Sequence, residues 1–117
     1  TEMAYYYFNK EMYKEAIPYY KESIPLQHER PDQSPSTLGM LYMQYAYCLE
    51  LQGESEKGRT IVNYEKAISQ LERTGNHELL ESALMSVIEF FDKINHNRKK
   101  KTYENKLMNL VNRTQIS

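Results

Sequence analysis

The sequence predicts an all-α protein built from three antiparallel pairs of helices. Apolar residues recur at helical spacing in six segments, and no segment alternates between apolar and polar residues for long enough to form a strand. In addition, the nine residues 16–24 recur loosely as residues 60–68, with small, Ile, Tyr, small and Ile residues at the same offsets. A self-similar helical unit at a fixed offset is typical of a solenoid, which presents a groove and favours a binding function.

Four apolar residues at helical spacing indicate the first helix. They are Met3, Ala4, Tyr7 and Phe8. The polar segment 9–11 ends this helix. No capping residue precedes the pattern, and a helix that starts without an N-cap predicts that the chain is part of a longer protein.

The second helix is expected to begin near residues 12–14 and to carry an apolar face between Ala16 and Ile24. Pro18 lies close enough to its start to be tolerated. Pro25 is expected to kink or end the helix near Ile24, because proline lacks an N–H group and its ring clashes with the preceding turn.

The third helix follows a breaker-rich connection at residues 30–35, which contains two prolines. Ser36 or Thr37 is expected to supply its N-cap, and the helix runs to Leu51. Gly53 is expected to stop it, because glycine adopts the backbone conformation that commonly follows a helix.

The last three helices are bounded by similar signals. The fourth covers residues 56–73 and ends at a Thr-Gly-Asn segment, and the fifth covers residues 77–94 with an apolar stripe that includes Leu80 and Leu84. A turn then leads to the sixth helix, residues 98–112, which is highly charged on one side. The chain is therefore predicted to form a single repeat domain, with helix pairs at residues 1–30, 36–74 and 77–113.

The composition argues against several classes of function. Apolar residues make up 40% of the chain and charged residues 26%, with a net charge of −1, so no large field favours nucleic acid or an acidic membrane. No segment approaches the ~20 apolar residues of a membrane span, and no signal-peptide pattern is found in the sequence. A cytoplasmic location is expected. Cys48 lies in an apolar helical run and is predicted to be a small buried residue.

No catalytic or metal-binding pattern emerges from the sequence. The three histidines are scattered, no nucleophile, base and acid suggest a triad, and the glycines form no phosphate loop. The chain is therefore predicted not to be an enzyme and to need no cofactor or metal. The basic run at residues 98–101 has two interpretations, a nucleic-acid contact or a solvated turn, and the near-neutral net charge favours the second.

Small residues combined with aromatic residues at fixed spacing resemble the tetratricopeptide repeat. The second helix of that repeat is matched by Ala16, Tyr20 and Ser23, and again by Thr60, Tyr64 and Ala67. Its first helix is matched by Met3-Ala4-x-x-Tyr7 and by Tyr42-x-x-Tyr45-Ala46-x-x-Leu49. The physical basis is close packing, because small residues let two helices approach and an aromatic side chain fills the space that remains. The resemblance covers residues 1–74 and is degenerate in the third pair.

The repeats are longer than usual. Ala4 and Ala46 lie 42 residues apart, and Ala16 and Thr60 lie 44 apart, whereas the common repeat has about 34 residues. Long repeats with the segments Ile-Pro-Leu at 24–26 and Leu-Glu-Arg-Thr-Gly-Asn at 71–76 are similar to the peptide-sensing domains of bacterial quorum-sensing regulators, the Rap, NprR and PlcR group.

This resemblance implies a right-handed superhelix whose concave face, lined by the first helix of each pair, binds a short extended peptide. In that group, peptide capture controls either a DNA-binding domain or a response regulator, and the chain would be the C-terminal part of such a sensor. The residues expected to bind the peptide are Tyr5, Phe8, Asn9, Met43, Gln44, Tyr47, Glu50, His77, Leu80, Glu81 and Leu84. Amide side chains can donate to and accept from a peptide backbone, and methionine and tyrosine supply adaptable apolar contact.

Other interpretations of these residues stay open. Asn9 can simply cap a turn, and Met40 and Met43 can belong to the core. For the whole chain, the leading hypothesis is a peptide-binding regulatory module with no direct contact to nucleic acid or membrane. The alternative is a structural scaffold for protein–protein assembly or self-association, with a homodimer formed through the uncapped first helix. A third, more remote option is the regulatory part of a phosphatase-like sensor.

Overall fold

The computed structural model describes residues 2–116, with the side chains of residues 2–114. Over that range the chain forms six α-helices and one short 3₁₀ helix, and no strand. The helices are α1 (Glu2–Asn9), α2 (Tyr13–Glu29), α3 (Pro35–Glu50), α4 (Lys57–Leu71), α5 (His77–Lys93) and α6 (Asn97–Ile116), with the 3₁₀ helix at Glu54–Glu56. The prediction of an all-α protein is confirmed. None of the described helices is long and apolar enough to cross a membrane.

The chain divides into two compact units, Thr1–Thr74 and Gly75–Ser117. The first unit contains α1 to α4 and the second contains α5 and α6. Within each unit, helices that are neighbours in the chain pack on one another.

In the first unit, each helix packs on the one that follows it in the chain. Glu50, at the end of α3, pairs with Tyr64 in the middle of α4. Gly39, near the start of α3, lies against Leu71 at the end of α4. These two helices are therefore antiparallel. The buried core of this unit is formed mainly by Ala4, Ala16, Tyr20, Ile24, Leu38, Leu41, Tyr42, Tyr45, Cys48, Leu49 and Ala67.

The closest approach in this unit is made at Gly39. A Cβ atom at that position would lie 2.4 Å from Cδ2 of Leu71 and 2.6 Å from its Cγ, so any larger residue would push α4 away from α3. Thr60 and Ala67 on α4 are fully buried, and the Thr60 hydroxyl donates to the Glu56 carbonyl at 2.8 Å. Small residues thus allow the close packing that the sequence pattern indicates.

Helix α2 continues past Pro25 to Glu29, so Pro25 does not end the helix near Ile24, which was one of the two outcomes expected for it. Proline removes the hydrogen bond to the carbonyl of Lys21, but both Lys21 and Pro25 are exposed, so water can satisfy that carbonyl. The last turn is also held from outside the helix, because the His28 ring lies 2.7 Å from the Tyr42 hydroxyl.

Helix α3 is capped two to three residues earlier than the sequence pattern indicated. Ser34, rather than Ser36 or Thr37, is the N-cap, and its Oγ accepts from the Thr37 N–H at 3.1 Å. Pro35 occupies the first position of the helix, where its fixed φ suits the helix and its missing N–H costs nothing.

The boundaries of α4 and α6 also differ from the predicted ones. Helix α4 begins at Lys57 and is preceded by the 3₁₀ helix, whose N-cap Gly53 has a φ of 96°. That positive φ explains why glycine follows the end of α3. Helix α6 extends to Ile116, beyond the predicted end at Asn112.

In the second unit, α5 and α6 pack as a helical hairpin. Asn76 caps α5 by accepting from the Leu79 N–H at 3.0 Å. The buried residues of the hairpin include Leu80, Ala83, Leu84, Val87, Phe90, Phe91, Tyr103 and Leu110. On the surface, Lys100 forms an ion pair with Asp92 at 2.8 Å.

The α1–α2 and α5–α6 turns have the same backbone structure. Glu11 and Asn95 adopt left-handed conformations with φ of 58° and 60°. The following N–H groups close equivalent turns, from Met12 to the Tyr7 carbonyl at 2.8 Å and from His96 to the Phe91 carbonyl at 2.9 Å. The two turns lie 84 residues apart, twice the spacing of Ala4 and Ala46.

A stacked ring pair lies behind each of these turns. Tyr7 stacks on Tyr19 with ring centroids 5.5 Å apart and an interplanar angle of 21°. Phe91 stacks on Tyr103 at 5.5 Å and 22°. The offset of 84 residues relates both members of one pair to both members of the other, so the α5–α6 hairpin repeats the α1–α2 hairpin despite its degenerate sequence.

Candidate functional site

Three aromatic side chains from three helices meet on the surface of the first unit. Phe8 belongs to the last turn of α1, Tyr13 begins α2, and Tyr47 lies in the last turn of α3. We call these three residues the aromatic cluster. Phe8 and Tyr13 come together because the left-handed residue Glu11 reverses the chain between them.

Each ring of the cluster contacts the other two in an edge-to-face arrangement. The ring centroids are 5.4 Å apart for Phe8 and Tyr13, 6.2 Å for Phe8 and Tyr47, and 5.3 Å for Tyr13 and Tyr47. Such pairs stabilise each other by about 0.5–1.5 kcal/mol beyond area burial. Phe8 and Tyr13 are half-buried, and Tyr47 keeps 39% of its surface exposed. The cluster is therefore a preformed apolar platform that is open to solvent.

A buried tyrosine fixes a polar side chain on α3. The Tyr20 hydroxyl donates to Oε1 of Gln44 at 2.6 Å, and Tyr20 is fully buried. Burial, with smaller contributions from Cys48 and Tyr5, raises the pKa of Tyr20, so its hydroxyl remains a donor at all physiological pH values. Because the Gln44 carbonyl oxygen is used in this bond, its amide N–H groups are the part suited to donate to a ligand.

Glu50, one turn beyond Tyr47, is held by α4. Its Oε1 accepts a hydrogen bond from the Tyr64 hydroxyl at 2.7 Å. Burial raises the pKa of Tyr64, and the bond to Glu50 raises it further. The carboxylate thus has a structural partner, and it joins the two helices as well as contributing negative charge near Tyr47.

The other predicted residues of the first unit differ in their exposure to solvent. Asn9 is exposed at the end of α1, whereas Tyr5 and Met43 are half-buried and pack against the core. The packing of Met43 agrees with the interpretation that it belongs partly to the core. Asn9 is the more accessible hydrogen-bonding group.

The four predicted residues on α5 separate into two kinds. His77 and Glu81 are exposed, but Leu80 and Leu84 are buried, with 7% and 1% of their surface exposed. The expectation that these two leucines line an open groove was wrong. They lie on the same helical stripe as Val87 and Phe91, which are also buried, so their apolar surface is already covered.

Tyr13 was not among the residues predicted from the sequence. It begins α2 three residues before Ala16 and seven before Tyr20, so helical spacing puts it on their packing stripe and not among the residues that were expected to bind a peptide. Its contact with Tyr47 joins residues 34 positions apart in the chain. A signal was present in the high tyrosine content, eleven against three phenylalanines, but that count does not say which tyrosines meet.

Neither metal binding nor thiol chemistry is indicated by the described side chains. Among them, no group of three or more His, Cys, Asp or Glu residues could hold a metal ion. Cys48 is fully buried, and burial raises the pKa of its thiol to about 12, so it remains protonated and unreactive at neutral pH. The prediction that Cys48 is a buried apolar residue is confirmed.

Comparison with known proteins adds no relative. The chain matches no protein-family model, and searches of curated proteins and of solved structures find no match. The likeness to tetratricopeptide repeats therefore rests on the sequence motifs of this chain.

Proposed function

We propose that the chain is a peptide-binding regulatory module whose binding surface includes the aromatic cluster. The observation that carries the proposal is the contact between the rings of Phe8 and Tyr47, which joins the first helices of two consecutive pairs. Of these two rings, that of Tyr47 is exposed to solvent. A solenoid that binds a peptide along the first helices of its pairs needs such a surface.

The repeat interpretation has support from both units. The α1–α2 and α5–α6 turns share their backbone conformation, their closing hydrogen bonds and a stacked ring pair, at twice the 42-residue spacing of Ala4 and Ala46. We propose that these stretched pairs form a tetratricopeptide-like superhelix. Sensing of a short signalling peptide, to control an effector domain or partner protein, is the function that this architecture would serve.

The surface offers both kinds of contact that an extended peptide requires. Peptide side chains can rest on the aromatic cluster, since half-exposed rings give a large contact area at little conformational cost. Peptide backbone groups can pair with Asn9 and with the amide N–H groups of Gln44, whose orientation is fixed by Tyr20. Binding therefore needs little reorganisation of the protein.

The test is calorimetric titration of the chain with a library of short peptides. We expect saturable binding, and we expect Tyr47→Ala to weaken it about tenfold or more, as for the loss of an aromatic anchor. Tyr6→Ala is the matched control, because Tyr6 is a tyrosine of α1 with 53% exposure that lies outside the cluster. Circular dichroism of both variants checks that the helices remain.

Two results would contradict the proposal. One is the absence of any saturable peptide binding, together with a concentration-dependent dimer in light scattering, which would favour the scaffold alternative. The other is an equal loss of binding in Tyr6→Ala and Tyr47→Ala, which would place the ligand elsewhere.

A further inference from the structure

We infer that the ligand of the aromatic cluster is a peptide with a lysine or arginine side chain, which rests on the exposed rings. This inference depends on the proposed peptide-binding function and specifies its ligand. It is carried by the charges around the cluster, by the use of the same contact elsewhere in the chain, and by the residues at the corresponding positions of the second unit.

Two acidic residues lie close to the cluster residues in the chain. Glu11 is exposed in the turn between Phe8 and Tyr13, and it is one of the groups that raise the pKa of Tyr13, after burial and Tyr47. Glu50 follows Tyr47 by one helical turn. Negative charge beside aromatic faces favours a cation, because the faces of the rings carry negative potential as well.

Three basic residues of the first unit either contact other groups or face another side of their helix. Arg59 donates to the Tyr45 hydroxyl and to Glu56, both at 2.8 Å. The ammonium group of Lys10 lies over the Tyr6 ring, 6.0 Å from its centroid. Lys14 follows Tyr13 directly, and successive residues of a helix do not face the same side. Arg59 and Lys10 thus interact with other groups, whereas the charge of Glu11 acts on Tyr13.

The chain itself uses lysine–tyrosine contacts of this kind. Besides the Lys10 contact with Tyr6, the Lys66 ammonium group lies 5.9 Å from the centroid of the Tyr42 ring. Both distances are within the range at which a cation is attracted to an aromatic face. A basic side chain from a ligand would make the same interaction with Tyr47, which has the most exposed ring of the cluster.

At two positions that correspond to aromatic residues of the first unit, the second unit has acidic residues. The offset of 84 residues relates Tyr5 to Glu89 and Phe8 to Asp92. Glu89 is exposed, and Asp92 already binds a cation, the ammonium group of Lys100 at 2.8 Å. At the position that corresponds to Phe8, the second hairpin therefore binds a cation through a carboxylate.

Lysine and arginine share the chemistry that this surface recognises, and the experiment separates them. Two libraries of short peptides are compared by affinity selection and calorimetry, one with an arginine at a fixed position and the other with citrulline, its neutral isostere. A parallel comparison uses lysine and acetyl-lysine. We expect the charged peptides to bind about tenfold more tightly than their neutral counterparts, within the range of a partly desolvated cation–π contact.

A variant of the turn tests the contribution of the acidic residues. Glu11→Gln keeps the size of the side chain and should weaken binding of the charged peptides about threefold, with little effect on the neutral ones. Glu22→Gln is the matched control, because Glu22 is an exposed glutamate of α2 away from the cluster. Higher salt should reduce the difference between charged and neutral peptides.

The outcomes distinguish this inference from the function on which it rests. Peptides that bind with equal affinity whether charged or neutral would overturn the cationic ligand and leave the peptide-binding function intact. No binding by any peptide of either library would overturn both. A preference for arginine alone, or for lysine alone, supports the inference and identifies the side chain.

Discussion

The α1–α2 hairpin and the α5–α6 hairpin have the same backbone turn but present different surfaces. In both, a left-handed residue closes the turn and a stacked ring pair lies behind it. On the surface, the first hairpin carries Phe8, and the second carries Asp92 at the corresponding position. The turn and the ring pair therefore determine the fold of a hairpin, and the exposed positions are free to determine what it binds.

The mutations whose effects on stability should differ most between the two hairpins are those in the stacked rings. Phe91 is fully buried, so Phe91→Ala should destabilise the protein by about 3–5 kcal/mol through lost burial and a cavity. Tyr7 is only half-buried, and Tyr7→Ala should cost about 1–2 kcal/mol. Urea unfolding followed by circular dichroism measures both. Equal effects would show that the two ring pairs have the same structural role, contrary to their burial.

A smaller difference in stability between the two hairpins is expected when the left-handed residues are replaced by glycine. Glutamate is disfavoured at φ of 58°, so Glu11→Gly should stabilise the first hairpin by about 0.5–1 kcal/mol, the relief of strain less the entropy cost of glycine. Asparagine tolerates this conformation, and Asn95→Gly should change stability by less than about 0.3 kcal/mol. Thermal unfolding compares the two variants. Glu11→Gln keeps the strained backbone, and a gain in stability in that variant would argue against strain as the cause.

The smallest effect is expected at the ion pair between Lys100 and Asp92. These residues correspond to Ala16 and Phe8 of the first hairpin, but the pair is on the surface, and Asp92→Asn should give no measurable change in stability at neutral pH. The hydrogen bond and charge of Asp92 raise the pKa of Lys100 above its usual value of 10.5. Any contribution of the pair is therefore complete at neutral pH and is lost as the pH rises through the pKa of Lys100. A stability loss near pH 7 in Asp92→Asn would contradict this.

The helices could be predicted from the sequence because their apolar periodicity is a local property. Boundaries were less accurate where the outcome depended on solvent or on neighbouring residues. Pro25 did not end α2, since the carbonyl that it leaves unpaired belongs to an exposed residue, and the N-cap of α3 shifted to Ser34 because Pro35 suits the first helical position. These results depend on exposure and backbone angles that residue identity alone does not give.

The candidate site was predicted only in part, for a related reason. Phe8 and Tyr47 were assigned to the peptide-binding face of the first and third helices, and the structure brings them into contact. Leu80 and Leu84 were assigned to the same surface although the pattern also placed them on the apolar stripe of α5, and burial decides between these positions. Tyr13 was missed because its partners come from two other helices.

The burial of Cys48 has a practical consequence for studying ligand binding. The side chain is fully buried, and burial raises the pKa of its thiol to about 12. Maleimide reagents attack thiolates, so this natural cysteine will remain unlabelled at neutral pH while the protein is folded. A single cysteine introduced at the exposed position 14, next to Tyr13, can therefore carry a fluorophore without first removing Cys48 from the core.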